Sequence, residues 1–127
     1  RMHSIKDDLT LLFNQNYLKS FIEREINRSK RYNLQFSVIF FDLDYLKEIN
    51  EQHGHLVGTE VLKEVSRILQ NSIRKIDIVS RFGGDEFVIV LADFIACLFL
   101  RLVQYRKKRP GFLQSNSMPI QCILLIL

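Results

Sequence analysis

Two pairs of acids carry the chemistry of this chain: Asp42 and Asp44 at the end of a hydrophobic run, and Asp85 and Glu86 directly after Gly83-Gly84. Consecutive glycines free the backbone for a tight turn, so the second pair is presented at a bend. The first pair ends a stretch that reads as a strand. If the two strands are neighbours, the carboxylates converge on one spot. Converging hard oxygen ligands suit Mg²⁺ or Mn²⁺ and the phosphates such ions carry. His53 and His55 stand at i, i+2 spacing in a stretch that reads as a loop. That spacing is weak for zinc and fits solvated side chains better.

Presenting the acids together requires a sheet and helices to cover it. Leu18, Phe21, Ile22 and Ile26 recur at helical spacing and predict a helix over 14–31, with Asn14 or Asn16 as its cap and Asn33 closing the connection. Residues 34–41 are rich in β-branched and aromatic types and predict a buried strand. Its run Val38-Ile39-Phe40-Phe41 fits a central position covered on both faces. Asp44 is placed to cap a short helix over 45–52, followed by a loop over 53–58. Val61, Leu62, Val65, Ile68, Leu69 and Ile73 stripe a longer helix over 59–73. Residues 77–82 and 87–91 read as strands joined by the glycine turn. The expected order is α-β-α-α-β-β, without internal repeats.

The 127 residues suffice for one small domain, and the 47% apolar content excludes a disordered tail. No apolar run approaches the roughly 20 residues of a membrane-spanning helix, and no signal peptide is visible at the start. Position 1 is Arg rather than Met, which reads as a piece of a longer reading frame. Residues 1–90 balance 13 basic against 13 acidic side chains, whereas 91–127 hold 5 basic side chains and only Asp93 as an acid. Both cysteines, Cys97 and Cys122, and both prolines, Pro110 and Pro119, also lie in that last stretch. The character of the chain therefore breaks near residue 92, dividing it into 1–91 and a divergent 92–127. The cysteines offer no metal spacing and fit a reducing compartment. A helix is expected over 95–103. The basic run 106–109 lacks an aromatic platform and reads as solvated rather than as a nucleic-acid site. The apolar end, 123–127, is an aggregation hazard unless it pairs inside the fold.

The run Phe41-Asp42-Leu43-Asp44-Tyr45-Leu46-Lys47-Glu48-Ile49-Asn50, then Gly54-His55 and Gly58, then Arg81-Phe82-Gly83-Gly84-Asp85-Glu86-Phe87, resembles the GGDEF family of diguanylate cyclases. Asp7-Asp8-Leu9-Thr10 and Asn14 resemble that family's entry motif, and the resemblance covers about residues 6–91. Three spaced motifs in the right order are far more specific than one short pattern. The resemblance implies an α/β (α+β) fold of the nucleotide-cyclase, ferredoxin-like palm type, a central sheet with flanking helices, altered at its C-terminal end. It implies condensation of two GTP into cyclic di-GMP with Mg²⁺ or Mn²⁺, by a homodimer in the bacterial cytoplasm. The implied metal ligands are Asp42, the Leu43 carbonyl and Asp85, with Glu86 beside them. Asp85 is the implied proton acceptor. Asn50 and His55 fall on nucleotide-contacting positions, and Gly83 and Gly84 let the backbone approach the ligand. Arg74-Lys75-Ile76-Asp77 resembles the family's product-binding RxxD site; the same pair at i, i+3 also reads as a surface ion pair.

The chain departs from the family pattern at several points. Thr59 stands where a second guanine contact, Asp, is usual, and threonine cannot present two acceptors to a guanine edge. Leu11 replaces a usual Gly, and Gln15 a usual Arg. Residues 92–127 do not resemble the family's later half, as a frameshifted or chimeric end would not. Two further readings stand beside the cyclase: a non-catalytic module sensing cyclic di-GMP through Arg74 and Asp77, and a remnant without activity.

Overall fold

The computed structural model describes residues 4–44 and 46–92 in full and the backbone of 120–126. The helix expected over 95–103 and the basic run 106–109 lie outside the described residues. The elements are α1 (Gln15–Tyr32), β1 (Ser37–Leu43), α2 (Leu46–His53), α3 (His55–Ser72), β2 (Ile78–Arg81), β3 (Glu86–Leu91) and β4 (Ile120–Ile126).

The sheet runs β2-β3-β1-β4, with every neighbouring pair antiparallel. β1 and β2 are therefore parallel with β3 inserted between them, the split βαβ arrangement of ferredoxin-like folds. β1 is internal, as its near-continuous apolar run predicts. Ile39, Phe41 and Leu43 join Val79, Phe87 and Ile89 on the face covered by Leu46 of α2 and Leu62, Val65 and Leu69 of α3. Val38, Val88, Val90 and Ile78 form the opposite face, covered by Leu18, Tyr17, Phe21, Ile22 and Ile26 of α1. Phe41 lies directly across from Phe87, their rings stacked with centroids 5.5 Å apart. Such a pair contributes about 0.5–1.5 kcal/mol beyond its buried area. β4 lies along β1 from Ser37↔Ile126 to Leu43↔Ile120, so most of the terminal apolar run is hydrogen-bonded within the sheet.

Asn14 caps α1, its side chain accepting from the Tyr17 amide at 3.0 Å. Asn33 ends the helix in the left-handed region, at φ 54°, and its amide donates to the Ser29 carbonyl. The loop expected over 53–58 is corrected. Gly54 alone separates α2 from α3, at φ 89°, and helix resumes at His55. Two glycines and two histidines weakened the helical signal, yet only Gly54 adopts a backbone that disfavours side chains.

The entry segment completes the frame. Phe13 forms a parallel bridge with Ser80. The Ser80 hydroxyl donates to the Phe13 carbonyl at 2.9 Å, and the Arg81 amide does the same at 3.0 Å. The outer edge of β2 is thereby covered, which protects it from pairing with another chain.

Candidate active site

The register of β1 on β3 puts Asp42 directly opposite Glu86, which projects both side chains to the same face. One step further, the Leu43 amide donates to the Asp85 carbonyl at 3.0 Å. The two acid pairs therefore meet at one end of the sheet, beyond the part that α1 covers. Burial pushes the Asp42 carboxyl above the ordinary carboxylate range, and the charges of Asp85 and Asp44 push it the same way. Asp42 Oδ1 is buried without a hydrogen-bond partner. A repelled, unpartnered carboxylate beside two further acids is what a divalent cation would neutralise. Among the described residues no three His, Cys, Asp or Glu side chains close into a metal-binding cluster. Few protein ligands suit Mg²⁺, which keeps waters and takes substrate phosphates.

Gly83 and Gly84 form the expected turn, and neither adopts positive φ. At Gly83 a Cβ would come within 2.5 Å of Glu86 Oε2, the mobile end of a side chain that can turn away; at Gly84 it would meet nothing within 4 Å.

Asn50 of α2 is half-buried, and its Oδ1 is the other buried side-chain acceptor without a partner among the described residues. It reaches α3 at Gly58, where a Cβ would stand 1.7 Å from that oxygen. Gly58 is thus the space that seats the Asn50 amide. Thr59, the next residue along α3, is half-buried, and His55 and His53 are exposed.

Arg74 and Asp77 stand apart from the acids, across the connection from α3 to β2. Arg74 Nε and Nη2 donate to Asp77 Oδ2 and Oδ1, each at 2.9 Å, and Arg74 Nη2 also donates to the Ala92 carbonyl at 2.7 Å. The Asp77 side chain is 1% exposed and also accepts from the amides of Arg74 at 3.1 Å and Ala92 at 3.0 Å. Asp77 is buried and Arg74 half-exposed, so the pair is a partly buried staple. It borders a cavity of about 670 Å³ that Arg28, Tyr17 and Phe21 line from α1. Sequence reading did not single out Arg28, because nothing local separates it from the other basic residues of α1.

Asp7 and Arg81, which belong to two separate motifs and lie 74 residues apart, pair at 3.2 Å, a contact that the sequence did not signal. Burial opposes the charge of Asp7, but hydrogen bonds from the Thr10 hydroxyl and amide and from Arg81 outweigh it and hold the carboxyl below its ordinary range.

Against known proteins, residues 4–105 match the family profile described as "Diguanylate cyclase, GGDEF domain". The diguanylate cyclase DosC of Escherichia coli K12 is 42% identical over 87 residues, 68% of this chain and 19% of that protein. The chain thus spans about a fifth of the length of that relative. A sensory box/GGDEF family protein from Caulobacter crescentus CB15 superposes with a TM-score of 0.74 at 30% identity, covering 98% of this chain and 83% of the other. A microbial GGDEF domain described in its interaction with bis-(3,5)-cyclic di-GMP superposes with a TM-score of 0.74 at 25% identity, covering 98% and 78%. The profile reaches past the last motif and the superpositions take in nearly the whole chain; this chain belongs to the GGDEF-domain family.

Proposed function

We propose that this chain is a diguanylate cyclase domain that binds GTP at the acidic end of the sheet and, paired with a second copy, joins two GTP into cyclic di-GMP. The observation that carries the reading is the Leu43–Asp85 backbone hydrogen bond beside the Asp42↔Glu86 register pair. It brings acids from two motifs to one spot and leaves one carboxylate oxygen unpartnered. Asp42, the Leu43 carbonyl, Asp85 and Glu86 would hold Mg²⁺ or Mn²⁺. When bound, such ions acidify an attacking hydroxyl and neutralise the pyrophosphate that leaves. The protein's own part is to hold carboxylates where charge must be balanced. Asp85, at the tip, would take the proton of a 3′-hydroxyl. The Asn50 amide, with a buried acceptor free for a guanine N–H, would read the base. Thr59 supplies only a hydroxyl beside it, so discrimination for guanine is expected to be weaker than with a carboxylate there. His55, exposed on the first turn of α3, is available to a nucleotide without being organised for it.

The cavity between Arg74, Asp77 and Arg28 is read as the product site. Guanidinium groups from two elements suit the phosphates of cyclic di-GMP. The reading places the chain in the bacterial cytoplasm, where GTP is found. No helix among the described residues is long and apolar enough to cross a membrane.

The test is incubation of the chain with GTP and Mg²⁺, reading pyrophosphate and cyclic di-GMP. Turnover that rises more steeply than linearly with protein concentration and vanishes in Asp85→Ala is expected. Full turnover in Asp85→Ala, or none in the parent at any concentration, would overturn the cyclase assignment. Cyclic di-GMP binding that survives Asp85→Ala and is lost in Arg74→Ala would then leave the sensor reading standing.

A further inference from the structure

The hairpin tip needs order that its own residues do not provide. Gly83 and Gly84 lack a Cβ, and neither occupies a restricted left-handed conformation. Consecutive glycines lose more backbone freedom on folding than any other pair. Their backbone help is thin: the Phe82 amide donates to the Glu86 carbonyl at 2.9 Å, and the Gly83 amide reaches the same oxygen only at 3.4 Å.

One side chain supplies the rest. Arg81 Nε lies 3.2 Å from the Gly83 carbonyl oxygen and 3.3 Å from that of Gly84. Its Nη2 donates to the Gly84 carbonyl at 2.9 Å. The opposite arm, Nη1, donates to Asp7 Oδ2 at 3.2 Å. Asp7 is itself held by the Thr10 hydroxyl at 2.7 Å and the Thr10 amide at 2.9 Å. The Arg81 side chain is 17% exposed; its bonds to the Gly83 carbonyl and to Asp7 are partly buried, whereas those to the Gly84 carbonyl face solvent. A planar guanidinium can grip two carbonyls with one edge and a carboxylate with another; an ammonium cannot.

We propose that Arg81 is a positioning residue for the hairpin: it fixes the Gly83 and Gly84 carbonyls so that Asp85 meets Asp42, and Asp7 aims its guanidinium. The proposal rests on the cyclase reading for its effect on turnover, but not for its effect on the tip. Misplacing a catalytic group by about 1 Å costs on the order of 10²-fold in rate.

The experiment uses the full chain with Arg81→Lys and Asp7→Asn. In Arg81→Lys, kcat is expected to fall about 10²-fold, while KM for GTP stays within about threefold. Asp7→Asn is expected to lower kcat about tenfold in the same pattern. Without nucleotide or metal, ¹⁵N relaxation and amide exchange should show Gly83 and Gly84 loosened in both variants, while Val88 and Val90 of β3 keep their protection. A rigid tip in both variants, or loss of protection through β3 as large as at the tip, would overturn the proposal; the latter would make Arg81 merely structural. If the parent chain makes no product, the cyclase reading fails and the relaxation data alone decide on Arg81. If Arg81→Lys does not fold, Asp7→Asn, which keeps the guanidinium, carries both measurements.

Discussion

At the scale of single residues, the backbone carries strain at Leu11. Leu11, at the position where the resemblance to the family leads one to expect Gly, sits at φ 60° and is 69% exposed. A side chain in the left-handed region costs about 1–2 kcal/mol, and one this exposed recovers little by burial. Leu11→Gly is therefore expected to stabilise the chain by about 0.5–1 kcal/mol after the added freedom of the unfolded glycine is counted. A thermal midpoint raised by about 3 °C would show it; a lowered midpoint would mean that the leucine makes contacts that offset the strain. Asp42 is strained electrostatically instead. Its folded pKa lies above the unfolded value, so its charge opposes folding at neutral pH, and the penalty fades as pH falls through the folded pKa. Asp7 has the opposite sign: its contribution is full above the unfolded pKa and is lost as pH falls through the depressed folded one. Asp42→Asn should thus raise the denaturant midpoint at pH 7 while removing metal-dependent turnover, and its advantage should shrink at acid pH. An unchanged midpoint at pH 7 would show that the site is already solvated enough to carry the charge.

At the scale of elements, the Arg74–Asp77 staple ties the end of α3, the start of β2 and the end of β3 at Ala92 into one unit. Arg74→Ala removes three side-chain bonds among the described residues and leaves a buried carboxylate with two amide donors. Because Arg74 is 48% exposed, the loss is expected near 2 kcal/mol rather than the larger cost of breaking a fully buried pair. Urea unfolding with an unchanged m-value would measure it; a loss under about 0.5 kcal/mol would show that the amides alone satisfy Asp77. This cost also means that weakened cyclic di-GMP binding in Arg74→Ala has to be read well below the unfolding midpoint. The elements themselves were largely legible. α1, β1 and the β2–β3 hairpin follow from local periodicity, and Asn14 and Asn33 act as caps because their side chains suit those backbones. The first turn of α3 was not legible: Gly54 and Gly58 look alike in sequence, but one breaks the helix and the other only makes room for Asn50. The acids of the site were read from spacing, whereas the Asp7–Arg81 pair spans 74 residues and has no local signature.

At the scale of the whole molecule, the site depends on where β1 lies in the sheet. β1 carries Asp42 and is flanked by β3 on one side and β4 on the other. The compositional break near residue 92 gave no reason to expect that β4 would reach this strand; only the need of an apolar run to find partners pointed that way. The seven register pairs with β4, from Ser37 to Leu43, make β1 internal. Deleting residues 120–127 would turn it into a long, flat, apolar edge, the kind of surface that recruits other chains. The shortened chain is expected to lose its cooperative thermal transition and to elute as higher oligomers in size-exclusion chromatography. Sheet closure, rather than any direct contact with nucleotide, would then account for lost GTP turnover. The discriminating measurement is made on whatever monomer remains at low concentration. If that monomer unfolds cooperatively at the parent's midpoint, β4 adds nothing to the sheet. If its midpoint falls and Gly83 and Gly84 exchange their amides faster along with Val88 and Val90, the last strand holds the acidic end of β1 in register with the hairpin from the far side.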